Sequence, residues 1–285
     1  MLFPFQSSTE TRNRKYVFSG LVLSDRQSRM MIDYLAGPRK FKRFGALYQD
    51  DEYGKSFLAA FETDLARHGL KLVATEPVKR GVTDVSAQIA KLQAAKPEVT
   101  FLVLTPGPAA QALKERQKIG WSDTLMVSTG PLTDETYLAL AGDASEGVEG
   151  LSTLPDPVRS DVAGVKLYRE QLLKYFPKNE PNRYSLAGYL AGMLFAEGAK
   201  RAGRPLTRDG LVTALETLKG FDTGIVPPMT IGPDHDTQKQ GSGCAWRRGT
   251  SSRFRTGSSP IRDAVVRAAR RGGAVDSLRR SRRAE

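Results

Sequence analysis

The sequence predicts an α/β protein organised on a doubly wound parallel sheet. Short apolar strands alternate with amphipathic helices through most of residues 1–240, the pattern of successive parallel crossovers. The run Val99-Thr100-Phe101-Leu102-Val103-Leu104 is almost wholly apolar, as a strand covered on both faces must be. Acidic and hydroxyl residues open the helices at Ser24-Asp25, Asp50-Asp51-Glu52, Thr83-Asp84 and Thr207, where free backbone N–H groups need acceptors.

In chain order, Tyr16–Val22 reads as a strand and leads to a helix carrying Met30, Met31, Tyr34 and Leu35. Phe44–Tyr48 is a short apolar strand. Phe57, Leu58, Phe61 and Leu65 then repeat at helical spacing. Leu72-Val73-Ala74 is a strand, followed by a helix with Val85, Ile89 and Leu92 on one stripe. The buried strand 99–104, a helix over 108–119, a strand at 124–127, a helix over 132–140 and a strand at 148–151 complete this half. Beyond Pro155 three helices follow with hardly a strand between them. They are marked by Val165/Tyr168/Leu172/Phe176, by Tyr184–Ala202, and by Leu211/Leu215/Leu218. Three such helices cannot complete a sheet alone and are expected to cover strands from elsewhere in the chain.

The 285 residues allow one large or two moderate domains. The longest apolar region, Leu186–Ala196, is short and interrupted by glycine, so a buried helix is expected rather than a membrane span. Met1–Gln6 has no secretory-signal pattern, and a single cysteine, Cys244, permits no internal disulfide. The net charge of +12 is concentrated in the tail. Residues 241–285 hold twelve arginines, no lysine and three acids, which leaves only +3 for the body. The tail is therefore expected to be disordered. Its all-arginine usage is also what a shifted reading frame in a GC-rich gene would give. Without interleaved aromatics it does not read as a nucleic-acid arm, and no nucleic-acid partner is expected.

Ligands of open parallel sheets bind beyond the carboxyl ends of the strands. That rule singles out the junctions Tyr48–Gly54, Thr105–Pro108 and Ser128–Pro131. Backbone N–H groups at the following helix starts could receive a carboxylate, and Tyr53 offers an aromatic face with a polar tip. Simpler roles remain open: Asp50-Asp51-Glu52 as helix capping, Tyr53 as a core residue, Thr105 and Thr129 as caps, and both His68 and His235 as solvated side chains. No phosphate loop, dinucleotide fingerprint, zinc-protease motif or nucleophile elbow is present. No catalytic residue, metal site or cofactor is therefore assigned, and binding is favoured over catalysis.

Several blocks in order resemble the leucine/isoleucine/valine-type periplasmic binding proteins of ABC transporters. They are Phe44–Gly54 with its acidic loop and Tyr-Gly, Thr83–Leu92, Pro97–Leu104, Ala141–Gly147, and Gly220–Gly224 followed by Pro227–Asp234. The resemblance implies a two-lobed type I periplasmic-binding (Venus-flytrap) fold that closes on a small amino-acid-like ligand and delivers it to ABC permease membrane subunits. On that template residues 1–24 are a remnant of the first lobe and 25–154 the second lobe, a complete doubly wound sheet. Residues 155–225 return to the first lobe, and 226–240 form a hinge crossing. Ser7, Ser8, Tyr53, Thr105, Thr129 and Gly130 become the expected ligand-binding positions. Gly130 stands where the branched-chain binders carry an acid for the ligand's ammonium, which favours an amide, an organic or aromatic acid or another amino-acid-like compound. The first lobe is expected to be incomplete and the chain to bind its solute weakly, as a fragment would. The resemblance implies the periplasm; a cytoplasmic location, as a ligand-responsive regulator of the same fold, is the alternative that the missing signal pattern leaves open. A nucleotide-using enzyme is disfavoured by the absent phosphate loop.

Overall fold

Two kinds of side-chain pattern build two packed units, seen in a computed structural model that describes residues 3, 7–82, 84–130, 135–238, 242–247 and 250–253. The sheet unit starts with α1 (Ser24–Ala36) and continues through β1 (Phe44–Gln49), α2 (Glu52–Arg67), β2 (Leu72–Val78), α3 (Ser86–Ala94) and β3 (Val99–Val103). It goes on with α4 (Pro106–Lys118), β4 (Leu125–Ser128), α5 (Glu135–Ala141) and β5 (Glu149–Ser152). These five strands are parallel in the order β2-β1-β3-β4-β5. Leu47 pairs with Leu102, and Phe101 with Val127.

Successive strand residues point to opposite faces, and β3 feeds two cores in this way. Val99, Phe101 and Val103 join Phe44, Met31, Ile32, Leu35, Phe57, Phe61 and Leu65, under α1 and α2. Leu102 joins Leu47, Ile89, Leu92, Leu113, Trp121 and Met126, under α3 and α4. On the first face the Phe61 ring stacks on Phe101 at 4.0 Å, and Phe101 on Phe44 at 5.9 Å. Every residue of β3 is buried, as its apolar run requires.

The helical unit consists of α6 (Ala163–Tyr175), α7 (Arg183–Ala202) and α8 (Arg208–Glu216). Asn182 opens α7 with a reciprocal capping box to Ser185, and the Thr207 hydroxyl accepts the Gly210 N–H to open α8. These helices have a core of their own. Val165, Tyr168, Leu186, Leu190, Leu194 and Leu215 pack with Phe18, Leu21, Ile225, Met229 and Ile231. The expected strand at 16–22 does not form. Phe18 and Ser19 make one backbone–backbone bond each, Phe3 N–H to Phe18 O at 3.1 Å and Ser19 N–H to His235 O at 3.0 Å, and among the described residues no strand runs alongside to extend them. The segment instead contributes buried Phe18, Leu21, Val22 and Leu23. The helices do leave apolar side chains exposed, including Leu173, Tyr175, Phe176 and Phe195.

The reading of residue 241 onward as an unstructured tail is corrected in part. β6 (Ser242–Arg247) and β7 (Thr250–Arg253) extend the sheet antiparallel, with Ser152 opposite Ser242 and Ala245 opposite Ser252. The physical reason is the open edge of β5, whose free N–H and C=O groups accept a backbone partner with little regard to side-chain type. Residues 254–285 lie outside the described residues.

His235 is a second correction, because it is buried rather than solvated. Its ring is 4% exposed and stacks on Phe18 at 4.0 Å, with Nε2 2.9 Å from Glu216 Oε1 and Nδ1 3.1 Å from the carbonyls of Arg14 and Val17. His68, by contrast, is partly exposed and bonds Asp33 at 2.8 Å. Chain passages between the two units run side by side. Thr237 N–H donates to Ser19 Oγ at 3.0 Å and its hydroxyl to Ser19 O at 2.6 Å, while Gln238 donates to Gly20 O at 3.0 Å. Beside them the fully buried Asp236 carboxylate accepts from Arg26 at 2.5 Å and Arg12 at 3.3 Å.

Candidate functional site

The carboxyl ends of β4 and β5 meet Arg183 at the start of α7, and Tyr53 from the start of α2 joins them. Asp51 caps α2 by accepting the Gly54 N–H at 3.2 Å. Gly54 is required at this point, since a Cβ on it would stand 1.9 Å from the Gln49 carbonyl oxygen. Its absence lets α2 begin directly against the end of β1, which sets Tyr53 over β4. The Tyr53 hydroxyl lies 2.6 Å from Thr129 Oγ1, and its ring meets Phe57 edge-on at 5.4 Å. Burial pushes the Tyr53 hydroxyl above the ordinary tyrosine range. The Thr129 hydrogen bond opposes that shift, as does the charge of Arg183.

Arg183 enters from the helical unit as the first residue of α7 and is only 3% exposed. Its Nη1 donates to Ser152 Oγ at 3.0 Å and its Nη2 to Thr153 Oγ1 at 2.8 Å. Nη2 also lies 3.2 Å from where a Cβ on Gly130 would be. From the amino-terminal side, Gln27 donates through Nε2 to Ser7 Oγ at 3.2 Å and to Val22 O at 2.6 Å. Its Oε1 stands 3.9 Å from the same Gly130 Cβ point. The Ser8 hydroxyl donates to Glu52 Oε1 at 3.0 Å, which ties the amino-terminal loop to the start of α2.

Four of the positions expected from sequence thus belong to one polar cluster. Tyr53 and Thr129 form its hydroxyl pair, Gly130 faces the guanidinium, and Ser7 holds Gln27. Ser8 lies at the edge. Thr105 belongs to a neighbouring network, its hydroxyl donating to Gln49 Oε1 at 3.0 Å while Gln49 Nε2 bonds Asp51. Neither Thr105 nor Thr129 caps through its hydroxyl: Thr105 makes no side-chain cap bond and Thr129 bonds Tyr53. Asp50, Asp51 and Glu52 pair with Lys55, the Gly54 N–H and Ser8 respectively. Among the described residues no group of His, Cys, Asp and Glu side chains could hold a metal ion. Nor is any described helix long and apolar enough to cross a membrane.

Arg183, Gln27, Ser152 and Thr153 were not singled out by the sequence reading. One signal for Arg183 does exist. A cation at the first position of a helix opposes the helix dipole, so its presence there points to a partner outside the helix.

A family model described as periplasmic binding protein matches residues 1–249. Leu/Ile/Val-binding protein homolog 3 of Brucella melitensis is 24% identical over 215 residues, 75% of this chain and 56% of that protein. The chain therefore spans little more than half the length of this relative. Among solved structures, a branched chain amino acid ABC transporter protein from Thermus thermophilus with bound valine superposes with a TM-score of 0.79 at 20% identity, covering 89% of this chain and 70% of that one. A fatty acid ABC transporter substrate-binding protein from Thermomonospora curvata gives a TM-score of 0.79 at 20% identity, covering 88% and 67%. One backbone plan accordingly serves proteins described with quite different ligands.

Proposed function

The chain belongs to the periplasmic binding protein family, and on that premise we propose that it is the substrate-binding component of an ABC importer, taking amino acids or amino-acid-like and organic-acid solutes. The observation that carries this reading is the polar cluster in which the Tyr53–Thr129 hydroxyl pair and Gly130 of the sheet unit lie beside Arg183 of the helical unit. A site shared between two units that the chain crosses side by side suits a clamp, because closure brings the two sets of contacts onto one solute. In this reading residues 25–154 form one jaw and 155–225 the other, with 226–240 crossing between them. Tyr53, Thr129 and Gly130 contact the solute directly, Ser7 and Ser8 close the amino-terminal side, and Thr105 sets the neighbouring loop. ABC permease subunits receive the solute, the work is done in the periplasm, and no bond is made or broken.

The cluster offers hydroxyls, an amide and a guanidinium, groups suited to holding a small polar solute. A thermal-shift panel of amino acids, organic acids, amides and nucleotides tests the reading. A bound solute at a hundredfold excess over its Kd raises stability by about 2.7 kcal/mol. Stabilisation by at least one small acid or amide, abolished by Tyr53→Ala, is expected. Stabilisation by nucleotides alone would remove the proposal.

A further inference from the structure

The geometry points to a charged latch across the hinge, in which Arg12 and Asp236 of the helical unit pair with Asp25 and Arg26 of the sheet unit. These bonds hold the two units in the arrangement seen here. The inference deepens the clamp reading and rests on it, since only jaws that part need a latch.

Each charge belongs to one side. Asp25 and Arg26 lie in the first turn of α1, a helix fixed to the sheet by Met31, Ile32 and Leu35. Asp236 follows His235, whose ring is held by the Phe18 stack and by Glu216 at the end of α8. Arg12 leads into a stretch tied to the same unit. His235 Nδ1 lies 3.1 Å from the Arg14 carbonyl oxygen, and the Tyr16 hydroxyl donates to Asp209 of α8 at 2.9 Å. The pairing across the hinge is reciprocal. Arg12 grips both oxygens of Asp25, at 2.7 and 3.0 Å, while Arg26 Nε donates to Asp236 Oδ2 at 2.5 Å. Arg12 Nη2 stands 3.3 Å from that same Oδ2 and joins the two pairs into one cluster. Each side thus supplies one cation and one anion.

Burial decides how strongly the cluster resists parting. Asp236 is 0% exposed, and among the described residues its Oδ1 has no hydrogen-bond partner. The guanidinium contacts at Oδ2 therefore carry the stabilisation of a desolvated charge. Taking one cation away leaves that charge undercompensated, which costs far more than losing an exposed pair. Parting the jaws hydrates the carboxylate and relieves the cost, so a weakened latch shows itself as opening. The bonds of Thr237 to Ser19 and of Gln238 to Gly20 join the two chain passages to each other. They can therefore serve as the pivot without breaking.

The test uses the full chain in a Cys244→Ser background, with nitroxide labels on Glu62→Cys in α2 and Lys200→Cys in α7, both exposed positions. Pulsed electron–electron double resonance reads the distance between the units, and near-UV circular dichroism checks the fold. The parent chain should give one dominant distance. Arg26→Gln should raise the share of a longer distance about tenfold. Asp236→Asn, which removes the buried charge itself, should do so less, and the double variant should open no more than Arg26→Gln alone. Arg29→Gln removes another α1 arginine, whose partner Asp64 lies within the sheet unit, and should leave the distances unchanged. Unchanged distances in both Arg26→Gln and Asp236→Asn would overturn the latch. Equal opening by Arg29→Gln, or strictly additive effects in the double variant, would overturn it too. A solute found by the thermal-shift panel while these distances stay fixed sinks the latch and leaves the clamp reading standing. Opening in Arg26→Gln with no response anywhere in the panel supports the latch and counts against the solute reading.

Discussion

Replacing Gly54 by alanine tests how α2 is set against β1. The added Cβ would lie 1.9 Å from Gln49 O, 2.8 Å from its carbonyl carbon and 2.9 Å from its nitrogen. All three are backbone atoms, so no side chain can swing aside. Relief requires the first turn of α2 to move by about 1 Å, an overpacking strain of about 1–3 kcal/mol. The same movement stretches the Asp51 cap on Gly54 N–H and the 2.6 Å bond between Tyr53 and Thr129, together about 2 kcal/mol. Alanine's better helix propensity returns about 1 kcal/mol. The strain and lost bonds win, and a net loss of about 2–4 kcal/mol is expected. Urea unfolding followed by fluorescence measures it, in a Trp246→Phe background that leaves Trp121, buried on the sheet's other face, as the sole reporter. An unchanged or higher midpoint would refute the argument, since it would mean that α2 does not depend on close approach to Gln49.

Further expectations follow from other sites. His235→Ala should cost about 2–3 kcal/mol in chemical denaturation, because it removes the Phe18 stack and the bonds to Glu216 and two carbonyls; a loss below about 0.5 kcal/mol would show those contacts to be idle. Burial pushes the hydroxyls of Tyr53 and Tyr137 above the ordinary tyrosine range. A raised folded value means that their contribution is intact below about pH 10 and declines as pH rises toward the folded values. Tyr53→Phe or Tyr137→Phe should make that alkaline loss shallower, measured as the urea midpoint between pH 9 and pH 11, and an identical slope would count against it. Ending the chain at residue 240 should speed amide exchange across Glu149–Ser152 about tenfold or more by mass spectrometry, because β5 loses its antiparallel partner; unchanged exchange would show that β6 adds no protection.

What the sequence revealed and what it hid divide along physical lines. The apolar run 99–104 and the stripe Phe57/Phe61/Leu65 were legible because period-2 and period-3.6 burial follow from backbone geometry alone. That Tyr53, Thr129 and Gly130 lie near one another was legible because parallel strands direct their following loops to one end of the sheet. Arg183 was not, since its contacts with Ser152 and Thr153 join residues about thirty apart across two units, and no local pattern encodes such a meeting. Tyr16–Val22 misled for the opposite reason. Its strand-like composition reflects burial against the helical unit, and a strand needs a neighbour that composition cannot supply. The closing hairpin was hidden because its backbone pairing with β5 makes little demand on side chains, so Ser242–Arg247 carries no strand signature.

The position of β6 has a consequence for how the chain is made. Ser152 pairs with Ser242, so one edge of β5 waits for its partner until about ninety further residues have left the ribosome. At typical elongation rates that interval is roughly 5–20 s, far longer than helices or hairpins need to form. The five parallel strands, drawn from residues 44–152, can assemble meanwhile, and the nascent sheet then presents an unpaired edge throughout synthesis of the helical unit. Chaperone engagement during translation should peak in that window and fall once β6 is released.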